Sequence, residues 1–247
     1  FMHDRMRMDT DLTPASIFTL EQEQHEHAFT EDLVLRSNDD SHRYQWLVGA
    51  YGFYKKIDMS APVTILKDGI DNLILGNMPA MIKNLLQFDR DELVVASNFD
   101  LPTYGLALYH ESSVKAGERW RFTAGLRLDY EASKMNYDNH SAIGYKVGPM
   151  RPGMPDMIPM HTVEVPFSGE EKMDYLELLP KFAVNFTTGA GDLYATVTRG
   201  YKAGGFNTQI FSDILQNKIK SALMNDAMSS MGRPSMGGEE SPYDAAS

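Results

Sequence analysis

Asp192-Leu-Tyr-Ala-Thr-Val-Thr198 runs directly into Arg199-Gly-Tyr-Lys-Ala-Gly-Gly-Phe-Asn207. In the first part Leu193, Ala195 and Val197 alternate with Tyr194, Thr196 and Thr198, so an extended chain separates an apolar side from a more polar one. This predicts a strand over 192–201 whose two faces meet different surroundings. Gly200, Gly204 and Gly205 then permit a bulge or bend where the strand stops. The spacing is not that of a dinucleotide-binding glycine loop, and no hydrophobic helix follows it at once.

The same alternation recurs upstream. Over 120–134, Trp120, Phe122, Ala124, Leu126, Leu128 and Tyr130 lie on one side, and Arg121, Thr123, Gly125, Arg127, Asp129 and Glu131 on the other. A soluble sheet has this period too, but aromatics capping an aliphatic band favour a lipid-facing stripe. Further strands are expected over 28–37, 42–56, 103–115 and 173–188, with Pro180 marking a bulge in the last. Residues 13–19 give only a weak strand signal.

Short polar or glycine-bearing turns at 38–41, 116–119 and 189–191 alternate with long connections at 57–102, 135–172 and 202–247. Outer-membrane barrels have this asymmetry, with short periplasmic turns and long extracellular loops. It orients 42–56, 120–134 and 192–201 outward and the other strands inward. Helical spacing of apolar residues places helices over 70–88 and 209–228 within those loops, the second through Phe211, Leu215, Ile219 and Leu223. The connection 135–172, rich in proline and methionine, shows neither period. The tail from Ser229 is Gly-, Ser- and Pro-rich and reads as disordered.

Leu193-Tyr-Ala-Thr-Val-Thr-Arg-Gly-Tyr-Lys-Ala-Gly-Gly-Phe-Asn207 closely resembles a strand in the barrel of TonB-dependent outer-membrane receptors. Ala28–Ser37, Trp46–Tyr54, Trp120–Glu131 and Leu179–Ala183 fit that family in the same order, over roughly residues 20 to 210. The resemblance implies an all-β, antiparallel transmembrane β-barrel of about 22 strands, of which this chain is a middle-to-late portion. It also implies a plug and a TonB-contacting segment upstream of Phe1. The implied activity is uptake of a scarce ligand, such as an iron chelate, a cobalamin or a glycan, energised through the TonB complex. The implied partners are outer-membrane lipid, the TonB complex and that ligand.

Composition narrows the alternatives. The 247 residues carry 34 Asp and Glu against 23 Lys and Arg, a net charge of -11 that argues against nucleic acid as a partner. There is no cysteine, hence neither a disulfide framework nor a thiolate metal site. No window has the roughly 18 consecutive apolar residues of a membrane helix. A mean hydropathy of -0.35 leaves a barrel open, because a barrel strand needs apolar groups only at alternate positions. Two rivals remain: a soluble β-sandwich that binds or cleaves carbohydrate, and a passive porin.

Candidate site residues are few. Arg127, Asp129 and Glu131 share a strand face, with successive Cα atoms about 7 Å apart. That separation can hold an acid–base pair for a glycoside, but a polar barrel lumen accounts for it more simply, and no catalytic residue is assigned. Arg199, Tyr201, Lys202 and Asn207 are expected at the outer rim, toward ligand or plug; alternatively the glycines shape the rim while Tyr201 and Phe206 anchor it in the membrane interface. His25 and His27 share a strand face but lack an evident third ligand, so no metal or cofactor is assigned to them. His110, His140 and His161 are scattered. The 16 methionines gather near the long connections, where they pack loop helices or line a vestibule.

Overall fold

The computed structural model describes residues 1–9, 15–38, 42–76, 83–151, 153–208 and 210–230. They form one antiparallel sheet of nine strands. In chain order these are β1 (Met2–Asp9), β2 (Phe18–Arg36), β3 (Tyr44–Ser60), β4 (Val63–Ile65), β5 (Leu86–Phe88), β6 (Leu93–Ala116), β7 (Trp120–Val147), β8 (Ile158–Thr188) and β9 (Gly191–Thr198). A short helical stretch follows β4, with α1 at Lys67–Gly69 and a π-turn at Ile70–Ile74; α2 is Ile210–Ser230. The long strands lie side by side in the order β1-β2-β3-β6-β7-β8-β9.

Hairpin logic explains the order. Gly117 takes φ +69 between β6 and β7, and Gly191 takes φ +151 where β9 leaves the turn from β8. Both lie in the left-handed range that glycine occupies without a Cβ penalty. β4 continues the line of β3, pairing with β2 and β6 one step further on. The break between them falls at Ala61-Pro62, where proline has no N–H to give the ladder. The Pro62 carbonyl accepts from Glu21 N at 3.1 Å and Ala61 N donates to Ser97 O at 2.7 Å, so pairing resumes at once.

Register lines up the apolar residues of neighbouring strands on one face, termed outer. Leu33, Ala50, Leu108, Leu128 and Leu178 are successive lateral neighbours, as are Leu35, Val48, His110, Leu126 and Pro180. Most of these large side chains are exposed, Leu33 at 71% and Leu108 at 64%. Aromatics border the band on both sides. Trp120 packs on Phe186 with ring centroids 4.3 Å apart at one border, and Tyr104 lies 6.2 Å from Tyr130 at the other, next to Tyr54.

Beyond Ser133 the polarity of the sheet reverses. On β7, Met135, Tyr137, Ile143, Tyr145 and Val147 alternate with polar or small residues but occupy the inner face, opposite the side that carries Trp120 to Tyr130. Met135 and Tyr137 belong to a smaller cluster with Met59 and Phe99, while Ile143, Tyr145 and Val147 build the main core with Ile65, Val95 and Val165. The π-turn adds Ile70 and Ile74, and α2 adds Ile219, Leu223 and Ala227. These three recur every fourth residue, so one stripe of α2 lies against the sheet.

Several expectations change. Much of 57–102 and most of 135–172 is sheet rather than loop: β7 and β8 form a long hairpin joined through residues 148–157. The expected helix over 70–88 gives way to the π-turn and, at Leu86–Phe88, to β5 paired with β7; the intervening Met78, Pro79, Met81 and Ile82 lie outside the described residues. Residues 2–9 form a strand that the sequence reading lacked, and β9 stops at Thr198 instead of 201. The helix at 209–228 is present as α2, which also takes in Ser229 and Ser230 of the tail expected to be disordered; the side chains of Phe211 and Leu215 and residues 231–247 lie outside the described residues.

Polar contacts also hold α2 to the sheet. Asp226 accepts from Tyr145 OH at 2.5 Å and pairs with His161 Nε2 at 2.6 Å. Burial pushes the Tyr145 phenol pKa up, and its bond to Asp226 adds to that. Burial opposes the charge on Asp226, but the bonds from Tyr145 and His161 outweigh it and lower its pKa. The bond to Asp226 raises that of His161 against the effect of burial. The His161 contribution is therefore complete below the ordinary imidazole value of 6.5 and fades as pH rises through the raised one. The Asp226 contribution is complete above 3.8 and fades as pH falls through the lowered one. Docking of α2 is expected to be strongest between about pH 4 and 6.5 and to loosen above. Hydrogen exchange in α2, corrected for intrinsic rates, should show protection falling as pH rises above 6.5; His161→Gln should flatten that dependence.

Candidate functional site: a charged wall behind the apolar band

At the level of the outer apolar band the inner face is charged and aromatic. Tyr109 lies over Gly49, its lateral neighbour, where any side chain larger than hydrogen collides with the ring. Glycine thus lets the phenol lie flat on the sheet and donate to Asp32 Oδ1 at 2.7 Å. The Arg127 guanidinium sits over two rings, 5.5 Å from the centroid of Tyr51 and 5.6 Å from that of Tyr109. Its Nε donates to Asp129 Oδ1 at 2.6 Å. Stacking and a charge-assisted hydrogen bond together fix the guanidinium against the wall.

Neighbouring pairs extend the pattern. Arg199 Nη2 donates to Glu177 Oε2, and Lys181 Nζ to Glu111 Oε2, each at 2.7 Å. Tyr201 OH points to Glu131 Oε2 at 3.5 Å, a weak bond at best. Arg127, Asp129, Glu131, Arg199 and Tyr201 are thus brought onto one wall, while Lys202 and Asn207 are exposed further along the segment. Asp129 is committed to Arg127, so the wall presents paired charges.

For the Arg199–Asn207 segment the expectation is a place at the outer rim, toward ligand or plug. From the end of β9 it crosses the inner face, meeting Glu177 of β8 through Arg199 and Glu131 of β7 through Tyr201. Gly204 passes under the Tyr175 hydroxyl, where a Cβ has no room. Phe206 packs against a small cluster of Met59, Phe99 and Met135. Tyr201 and Phe206 therefore anchor the segment to the inner wall. The glycines permit that close crossing, a use that spacing alone does not distinguish from a bend.

The histidines sort differently as well. His25 faces His3 across the β1–β2 ladder, with parallel rings 4.3 Å apart, and both approach Glu23. His27 instead meets Phe1. His3 carries no such signal in the sequence, because it meets His25 only through the pairing of residues 2–9 with β2. A groove of about 510 Å³ opens on the same outer face, just past Tyr54 and Tyr104, lined by Glu23, His25, Asp58, Asn98, Asp100 and Asp138. Lys56, beside the groove, bridges two of these carboxylates, 3.0 Å from Asp58 and 3.4 Å from Asp100. No protein-family model matches the chain, and comparison with curated proteins finds no match either.

Proposed function

We propose that this sheet is an arc of a large transmembrane β-barrel in a bacterial outer membrane, and that the protein is a ligand-gated import receptor energised through TonB. The observation that carries the barrel reading is the pairing of an exposed apolar outer band with a charged inner wall at the same height. Arg127 lies between Leu126 and Leu128, so within one strand the two faces require opposite surroundings. From Trp120 to Tyr130 the strand covers about 34 Å at ~3.4 Å per residue, or roughly 25 Å of height at a tilt of ~40°. That height suits the apolar band of an outer-membrane barrel, and the bordering Trp, Phe and Tyr rows suit its girdles.

The reversal of polarity past Ser133 supports the same reading. Where the strands leave lipid, their outer face turns polar and the apolar residues move inside to carry the cap of α2 and the π-turn. That end is the extracellular, ligand-collecting one, and the turns at 117–119 and 189–190 are periplasmic. The open outer edges of β1 and β9 in the sheet order suit continuation by further strands, since edges are abolished only by closure. The import activity rests on the resemblance of Leu193–Asn207 and its companion segments to TonB-dependent receptors. Its test is uptake in cells that make the protein, with and without its coding region, supplied with limiting labelled iron chelates, cobalamin or oligosaccharides. Loss of uptake of one ligand on deletion, and in intact cells on collapsing the proton-motive force, is the expected result. Uptake that survives de-energisation points to a passive porin and overturns the receptor reading.

A further inference from the structure

We propose that His3, Glu23 and His25 form a binding site for a divalent transition metal of the zinc class on the outer face of the β1–β2 ladder. The register sets His3 directly across from His25, and Glu23 lies two residues from His25 on the same face of β2. Glu23 Oε1 is 3.2 Å from His3 Nε2 and 3.5 Å from His25 Nε2. Ligand atoms at ~2.05 Å from a tetrahedral zinc ion lie about 3.3 Å apart, so both histidine-to-carboxylate edges already have the length that coordination needs. The candidate ligand atoms of all three residues lie within 4.8 Å of one another, and the remaining edge closes when the two stacked rings tilt out of parallel so that their nitrogens converge on one point.

The donor set selects the metal. Two imidazoles and one carboxylate suit zinc and its first-row neighbours, whereas calcium and magnesium require oxygen ligands. Three protein ligands leave a fourth position open. Glu23 and His25 also line the groove past the aromatic row, so that position opens toward the acidic patch of Asp58, Asp100 and Asp138. A bound ion there ties the short edge strand β1 to β2. The inference depends only on the β1–β2 register and stands apart from the import reading.

The test is competition of the full-length, untagged chain with a chromophoric chelator for Zn²⁺, in detergent and without added histidine tags. One equivalent of zinc is expected to bind at micromolar affinity, unaffected by millimolar Ca²⁺ or Mg²⁺. His3→Ala, His25→Ala and Glu23→Gln should each weaken it at least tenfold, and His27→Ala should leave it unchanged. Co²⁺ substitution supplies a readout independent of stability, since a tetrahedral site gives intense visible absorption that these variants should lose. Equal zinc affinity in the His3→Ala/His25→Ala double variant, or a loss that follows His27 instead, overturns the proposal.

Discussion

Leu126→Arg is expected to lower the folding stability of the protein in lipid vesicles by about 2–4 kcal/mol, the cost of arginine near the midplane of a membrane barrel. Leu126 is half exposed on the outer face, well inside the band bordered by Trp120 and Tyr130, with Val48, His110 and Pro180 in the same lateral row. In water an exposed Leu-to-Arg change alters stability by no more than about 0.5 kcal/mol. The size of the effect therefore reports the solvent that Leu126 meets. Thr123→Arg, on the inner face between Ser113 and Ala183, is the control and should cost far less. Guanidinium titration of tryptophan fluorescence in vesicles measures both.

Leu223→Ala should release α2 from the sheet. Leu223 is fully buried at the centre of the stripe formed with Ile219 and Ala227, against Tyr145 and its neighbours. Truncating a buried leucine costs about 2–5 kcal/mol through lost transfer energy and the cavity left behind. The loss falls on the helix, since the strands beneath keep their own ladder. Hydrogen exchange should therefore quicken in 210–230 while β7 and β8 within the apolar band stay protected. Uniform loss across the sheet contradicts a locally docked cap.

The contrast between the two ends of the sheet shows what the sequence discloses. Trp120 to Tyr130 was legible because alternate apolar residues are bounded by aromatics, and Arg127 fell on the opposite side by the same count. The far half of the same strand keeps a period of two, yet its composition is that of a loop. Met135, Tyr137, Ile143, Tyr145 and Val147 sit on the other parity, and Pro159 and Pro166, residues that argue against a strand, fall within the partner strand β8. A change of side without a break in register has no local mark in composition. The reversal is tertiary in origin, set by where α2 covers the sheet.

The site was legible to a similar degree. Arg127 with Asp129 followed from strand periodicity, because both had to share a face. Tyr51, Tyr109 and Asp32, which complete that cluster, come from β2, β3 and β6 and depend on registers that hairpin turns alone did not fix. The crossing of Arg199–Asn207 over the wall was hidden for the same reason, as Gly204 and Phe206 find partners on strands distant in sequence. His3 shows the limit most clearly, since its ligand-like geometry exists only once residues 2–9 pair with β2.

The most direct measurement is nitroxide accessibility in the reconstituted protein, with single labels along β7 at the outer positions Leu126 and Leu128, the inner position Thr123, and the outer position His140 beyond the reversal. Leu126 and Leu128 should be relaxed by oxygen and shielded from a water-soluble nickel chelate, Thr123 should favour the chelate, and His140 should be accessible to the chelate alone. If all outer positions prefer the chelate in the presence of lipid, the apolar band does not face a membrane and the barrel account fails.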